Sequence, residues 1–228
     1  MTEGRTGFAG GIVSLAFDDG WRSIYENALP ILDGDNLKST HYIVSRYLDH
    51  PLYMNARQVC DLERHGHEVG CHSVSHKHLP QQTLAIIEEE IAQSQRCLQD
   101  IGLPTQTFAY PYGEYDERVI DAVKRFGFKG ARTGGENDDS GFNDKLADPY
   151  LLKGQAVRID TPPARIEEWL HHAGNNDLWL ILVFHQIDHE GKKWSTTPET
   201  LRRIVEHLLT VRARVVTVRE GLEILARG

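Results

Sequence analysis

The chain predicts an α/β fold, a (β/α) barrel of seven or eight strands formed as a single domain over residues 1–228, and three observations lead there. Short apolar or β-branched runs alternate with helix-period segments from one end to the other, the pattern of parallel strands joined by crossover helices. A length of 228 residues is long for one ordinary domain and short for two, yet common for a single α/β barrel. Three polar constellations each follow an apolar run: Asp18-Asp19-Gly20, His72-Ser73-Val74-Ser75-His76, and His185. Periodicity alone does not separate a barrel from an open doubly wound sheet. Polar groups at the carboxyl ends of several different strands favour the barrel.

In chain order the strands are expected at Ile12–Phe17, Thr40–Val44, Glu68–His72, Thr107–Tyr110, Phe128–Arg132, Ala156–Ile159, Trp179–Phe184 and Val215–Val218. The helices are expected between them at Ser23–Leu32, Asn55–His65, Gln82–Ile101, Glu117–Phe126, Arg165–Ala173, Pro198–Val211 and Arg219–Ala226. Gly66 after Arg64-His65, Gly102 with Pro104, and Gly127 after Phe126 mark three helix ends. The stretch Thr133–Lys153, rich in Gly, Asp and Asn, reads as a long loop at the site end. Its Glu136-Asn137-Asp138-Asp139 run lacks the ordered spacing of a calcium loop and reads as solvated. No repeat of solenoid type is visible.

An apolar share of 40% and a charged share of 25% are those of a globular chain with ample core material. The net charge of −8, without a block of Lys or Arg, makes nucleic acid and anionic lipid poor expectations for a partner. Cys60, Cys71 and Cys97 are odd in number and lack a CxxC spacing, so they read as inert thiols rather than disulfides or metal ligands. Met1–Gly10 has no basic-then-apolar signal region, and no window reaches the apolar length of a membrane helix. As it stands the chain is expected in the cytoplasm; a leader ahead of the given sequence would place it outside. Oligomeric state is not legible.

The three constellations hold the parts of a metal-assisted hydrolase. Such a site needs a few imidazole and carboxylate ligands, an open position, and an acid and a base that are not ligands. His72 and His76 are four apart, so a helical turn after the strand would place both imidazoles on one face. Asp19 suits the third ligand, because a tight turn at Gly20 would leave Asp18 and Asp19 pointing differently, one on the metal and one free. His78 reads as a surface or supporting residue, and His41, inside an apolar strand, as a hydrogen-bonded core histidine.

Phe17-Asp18-Asp19-Gly20, His72-Ser73-Val74-Ser75-His76, Tyr110-Pro111-Tyr112-Gly113 and Val183-Phe184-His185 stand in the order and rough spacing of the polysaccharide deacetylase family, carbohydrate esterase family 4 or NodB-homology domain, which the chain resembles from Ile12 to about Val218. The resemblance implies a distorted (β/α) barrel and a divalent metal, usually zinc, with nickel, cobalt or manganese as alternatives, held by Asp19, His72 and His76. It implies Asp18 as general base, His185 as general acid, and the Tyr112 backbone N–H as an oxyanion donor. The implied activity is removal of N-acetyl groups from N-acetylhexosamine units of a polysaccharide or oligosaccharide. An O-acetyl esterase on xylan-like sugar, a C–N hydrolase on a small cyclic amide, and a non-catalytic carbohydrate-binding barrel are the alternatives.

Two departures from the family pattern matter. Where relatives often carry an Arg that pairs with the base, this chain has Ala109 in Phe108-Ala109-Tyr110-Pro111. That form resembles the branch acting on β-1,6-linked N-acetylglucosamine exopolysaccharide. Arg158 is expected to replace the missing cation, with Arg132 as its rival. The Asp that orients the acid histidine is best matched by Asp160, with Asp188 as its rival.

Overall fold

The computed structural model describes residues 8–135 and 141–227. The Glu136–Asp139 run therefore lies outside the described residues. Among the described residues eight strands are present: β1 Ile12–Phe17, β2 Thr40–Ile43, β3 Glu68–Cys71, β4 Thr107–Ala109, β5 Gly130–Arg132, β6 Gln155–Ala156, β7 Trp179–Phe184 and β8 Arg214–Val215. All pair in parallel, in the order β5-β4-β3-β2-β1-β7-β6, and β8 pairs with the start of β1, a stretch β2 leaves unpaired. Arg132 bridges to Leu152, and the Ala156 N–H donates to the Gly135 carbonyl, so the chain leading into β6 joins the two ends of the sheet. The result is a distorted barrel, single in domain, as its alternating sequence predicts.

Seven α-helices of the described residues wrap it: α1 Leu29–Gly34, α2 Ala56–Arg64, α3 Leu84–Asp100, α4 Glu117–Arg125, α5 Pro163–Asn175, α6 Pro198–Thr210 and α7 Val218–Leu225. Their starts follow local chemistry. The Asn55 and Thr217 side chains accept from the N–H groups of Gln58 and Glu220, which bond back in return. Asp116, Thr83 and Thr197 cap α4, α3 and α6 in the simpler way. The box at Thr217 is also why the strand expected at Val215–Val218 ends at Val215: the helix claims Val218. The strand expected at Ala156–Ile159 stops at Ala156 because the Arg158 N–H turns to the Thr161 hydroxyl, 2.9 Å away.

Three apolar clusters follow from this layering. Val13, Leu15, Phe17, Leu182 and Phe184 pack outward against α1, α5 and α6, and Val69, Cys71, Phe108 and Ala131 pack outward against α2, α3 and α4. Ile12, Ala16, Tyr42, Ala109, Ile181 and Val183 fill the barrel interior. Gly70 lies on the inward parity of β3, where a Cβ would sit 2.6 Å from the Tyr42 ring, so only glycine leaves that ring its place.

Candidate active site

Strand alternation carries the expected groups to one place. On β1, Ile12 and Ala16 face inward and Val13, Leu15 and Phe17 outward, so Asp18, one residue past the strand, continues the inward row. By the same parity His72 follows Glu68 and Gly70, and His185 follows Ile181 and Val183. Asp18, Asp19, His72, His76, Tyr112 and His185 all border one cavity of about 290 Å³ at the carboxyl ends of the strands.

Asp19 has φ 68° and Gly20 φ 82°, and this double left-handed turn swings the Asp19 carboxylate away from Asp18. Asp19 Oδ1 lies 3.6 Å from His72 Nε2 and 3.5 Å from His76 Nε2, and the two imidazole nitrogens are 3.2 Å apart. A tetrahedral ion with bonds of about 2.0–2.1 Å needs its ligand atoms roughly 3.3 Å apart, which these are. The supporting contacts fit the same role. His72 Nδ1 lies 2.8 Å from the Ala109 carbonyl, so it carries the proton and frees Nε2. Trp21 Nε1 donates to Asp19 Oδ2 at 2.9 Å, leaving Oδ1 for a ligand role. Burial, and then His72, push His76 down to about 4, so its ring is neutral near neutral pH. Among the described residues this is the one group of three His, Cys, Asp or Glu side chains with a metal-ligand arrangement.

The histidine pair does not sit on a helical turn. Residues 72–78 form an irregular loop in which Ser73 has φ 63° and His76 φ 53°. A buried carboxylate that sequence reasoning missed holds this loop. Glu90 Oε2 accepts from the N–H groups of Val74 at 3.1 Å and Ser75 at 2.8 Å, and Oε1 accepts from the Ser75 hydroxyl at 2.6 Å and faces Lys77 Nζ at 3.0 Å. The available signal was a Glu within the buried stripe of α3, among Ile87, Ile91, Ser94 and Leu98.

The cation beside Asp18 is Arg132, which corrects the expectation of Arg158. Ala109 and Arg132 are register partners on β4 and β5, so the charge absent at position 109 is supplied from the neighbouring strand. Arg132 is fully buried; it bonds Asp18 Oδ1 through one terminal nitrogen, donates to the Thr133 carbonyl at 2.7 Å through the other, and stacks 4.7 Å from the Tyr42 ring centre. Burial is the largest influence on Asp18 and pushes its carboxyl up, but Arg132, His72 and His185 together outweigh it and hold the carboxyl below the usual range.

Arg158 sits past the end of β6, 3.6 Å from Asp160 Oδ1, with its guanidinium 5.6 Å from the centre of the Trp194 ring. Nor does Asp160 orient His185: its side chain is 73% exposed and paired with Arg158, while His185 Nδ1 has no hydrogen-bond partner among the described residues. Asp188 turns to the Glu190 N–H instead. His185 packs against Trp194 at 5.5 Å between ring centres and presents Nε2 4.0 Å from Asp18 Oδ2.

Tyr112 has φ 59°, and its N–H has no acceptor among the described residues. Its ring stacks on His78 at 3.8 Å; His78 in turn pairs with Glu114 and lies outside the ligand set, in the supporting place its sequence position suggested. His41 is buried and bonded to the Ser39 hydroxyl at 2.9 Å. The Cys71 thiol points into the outer core, and burial pushes it up to about 12, so it stays protonated beside the site.

The model of the polysaccharide deacetylase family matches residues 7–131, more than half of the chain and the whole run from the Asp pair to β5. The chain belongs to that family. A putative polysaccharide deacetylase of Bacillus subtilis is 26% identical over 118 residues, 51% of this chain and 42% of that protein. Chitin deacetylase 1 of Cryptococcus neoformans is 30% identical over 115 residues, 50% of this chain and 23% of that one. The match thus spans less than half the length of either relative. A family 4 acetyl xylan esterase from Clostridium thermocellum, solved with a cobalt ion, shares the fold at a TM-score of 0.69 and 21% identity, over 93% of this chain and 91% of that one. No helix among the described residues is long and apolar enough to cross a membrane.

Proposed function

We propose that this member of the polysaccharide deacetylase family is a divalent-metal hydrolase that removes N-acetyl groups from N-acetylhexosamine units of a polysaccharide or oligosaccharide. One observation carries the reading: a carboxylate and two imidazoles at tetrahedral ligand separations share a cleft with a second carboxylate and a third imidazole that are not ligands. Two imidazoles and a carboxylate, without thiolate, suit zinc first, with nickel, cobalt or manganese as alternatives. When bound there, such an ion supplies Lewis acidity, which makes water nucleophilic near neutral pH and polarises an acetyl carbonyl.

The chain's own residues do the rest. Asp18, kept ionised by Arg132, takes the proton from the attacking water, and its burial keeps the carboxylate from being quenched by solvent. His185 Nε2, at the open side of the cleft, gives a proton to the departing amine. The Tyr112 N–H, on the cavity wall and free of acceptors among the described residues, is the donor left for the oxygen on which charge develops. Trp194 packs on His185 and limits the ring's freedom, the positioning task an Asp was expected to perform.

The test is a panel of N-acetylglucosamine oligomers, acetylated xylo-oligosaccharides and small cyclic amides, assayed for product with zinc-loaded protein. Acetate from the first set supports the reading. Acetate from the xylan set alone moves it to an O-acetyl esterase, ring opening moves it to a cyclic amidase, and sugar binding without acetate makes it a carbohydrate-binding barrel.

A further inference from the structure

We propose that Tyr42 is a positioning residue for the reaction: its ring lies against the Arg132 guanidinium inside the barrel, fixes the plane of that cation, and through it aims the Asp18 carboxylate. The inference rests on the deacetylase reading given above, in which Asp18 is the base. Tyr42 does not border the active-site cavity, so it touches no substrate. It acts one residue removed, from β2 onto a side chain of β5.

The two side chains meet because the strands between them make room. In the sheet β4 and β3 stand between β5 and β2, and at this level they turn Ala109 and Gly70 inward. Ala109 is the register partner of Arg132, and Gly70 is that of Tyr42. A Cβ at Gly70 would lie 2.6 Å from the Tyr42 ring and 2.9 Å from Thr107 Oγ1, so even alanine would displace the ring. Ala109 therefore does more than lack a charge. Together with Gly70 it leaves the volume that a guanidinium and a phenol ring fill, both fully buried.

Hydrogen bonds alone leave the guanidinium a degree of freedom. One terminal nitrogen bonds Asp18 Oδ1 and the other donates to the Thr133 carbonyl at 2.7 Å, while Nε has no partner among the described residues. Two contacts at the terminal nitrogens let the plane hinge about the line that joins them. A third contact, on the face, removes the hinge, and the Tyr42 ring centre supplies it 4.7 Å from the guanidinium carbon. Away from water the attraction of a cation to a ring face is at its strongest. Burial, and then the Glu68 carboxylate, push the Tyr42 phenol far up, so the ring stays neutral and does not compete with Asp18 for the cation. Its hydroxyl is buried with no hydrogen-bond partner among the described residues, which leaves the face as the working surface.

The experiment separates the ring's effect on the cation from its share in folding. Zinc-loaded Tyr42→Leu and Tyr42→Phe are assayed for acetate release from N-acetylglucosamine oligomers, each alone and combined with Arg132→Met, with circular dichroism and zinc titration to confirm fold and loading. Tyr42→Leu is expected to lower kcat about 30-fold, equal to about 2 kcal/mol at about 1.4 kcal/mol per decade, with KM within about twofold of wild type. Tyr42→Phe, which keeps the flat face, is expected to restore kcat to within about threefold. In the Arg132→Met background Tyr42→Leu should change kcat by less than about twofold, because the side chain it acts through is gone. An unaltered kcat in Tyr42→Leu, a fall of equal size with and without Arg132, a loss confined to KM, or a Tyr42→Phe as slow as Tyr42→Leu would overturn the assignment.

A second measurement needs neither turnover nor metal. The Arg132 Nε–Hε proton resonance is expected to be shifted upfield by the ring in wild type and Tyr42→Phe and to lose that shift in Tyr42→Leu; an identical resonance in all three proteins overturns the contact. Should Tyr42→Leu unfold, nuclear Overhauser contacts between the Arg132 guanidinium protons and the ring in wild type decide: their presence supports the placement and their absence overturns it. Wild-type protein that releases no acetate removes the deacetylase reading, and the resonance then decides by itself whether Tyr42 holds the cation.

Discussion

Replacing Arg132 by methionine tests how the base is kept ionised. Both partners of the Arg132–Asp18 pair are almost wholly covered, at 0% and 5% side-chain exposure, so removing the cation strands a buried carboxylate. Breaking such a pair costs about 3–5 kcal/mol, a large part of the roughly 5–15 kcal/mol that holds a domain folded. In the native protein the Asp18 carboxyl lies below its usual value of 3.8, so its contribution to stability is present above that pH and is lost as pH falls through the native value. Without Arg132, burial is opposed only by the two histidines and, in loaded enzyme, by the bound ion, and the carboxyl climbs. At about 1.4 kcal/mol per pH unit, a loss of 3–5 kcal/mol, taken up wholly by protonation, lifts the acidic limb of the rate profile by roughly two to four pH units. The assay is acetate release against pH with zinc-loaded enzyme, paired with urea unfolding at neutral pH. Arg158→Met should leave the acidic limb in place, since that side chain reaches Asp160 and Trp194 rather than Asp18. An Arg132→Met profile whose acidic limb coincides with wild type, with an unfolding free energy within about 1 kcal/mol of it, would refute the assignment.

Four further substitutions probe the remaining parts. Glu90→Gln should weaken zinc binding by about 10–100-fold, the usual effect of losing a group that orients ligands, and His76→Ala by more; competition with a chelating dye reads both, and wild-type affinity in Glu90→Gln would mean the loop holds itself. His185→Ala should cost about two to four decades of rate and abolish the alkaline fall of the profile while zinc content stays at wild-type stoichiometry; an unaltered rate removes it as the acid. Asp33, whose carboxyl burial raises but His65 and His67 pull below 3.8, contributes stability above that pH that is lost on acidification. Asp33→Asn should therefore lower the urea midpoint at neutral pH and flatten its decline below about pH 4, and an unchanged acid decline would count against the histidine pairing.

By itself the amino-acid sequence determined the alternation of strands and helices, and with it the end of the barrel at which the chemistry gathers. Period-two alternation is local, so the apolar outward rows Val13-Leu15-Phe17, Val69-Cys71 and Leu180-Leu182-Phe184 already state that Asp18, His72 and His185, one residue further on, face the other side of the sheet. The candidate triad was legible for the same reason: Asp19, His72 and His76 stand one to five residues past a strand end, where few conformations remain open to them. Where the expectation concerned the shape of a loop it failed. The His72–His76 segment is irregular rather than helical because the side chain of Glu90, from α3, accepts the N–H groups of Val74 and Ser75 that a helical turn would have used otherwise.

Only the tertiary structure decided which cation stands beside Asp18 and what supports His185. Arg132 and Arg158 both lie at predicted strand ends, and nothing local separates them. What separates them is the pairing of β5 with β4, which sets Arg132 beside Ala109 and over the Tyr42 ring, and the early end of β6, which leaves Arg158 outside the barrel on Trp194. A buried ion pair forms between residues 114 positions apart only if the barrel brings them together, and its partners are chosen by register and by the space that Gly70 leaves. The stacking of Trp21 and Tyr47 on either side of Tyr53 at the cleft depends in the same way on two loops meeting, because ring stacking is a contact between separate segments and leaves no periodic trace in either of them.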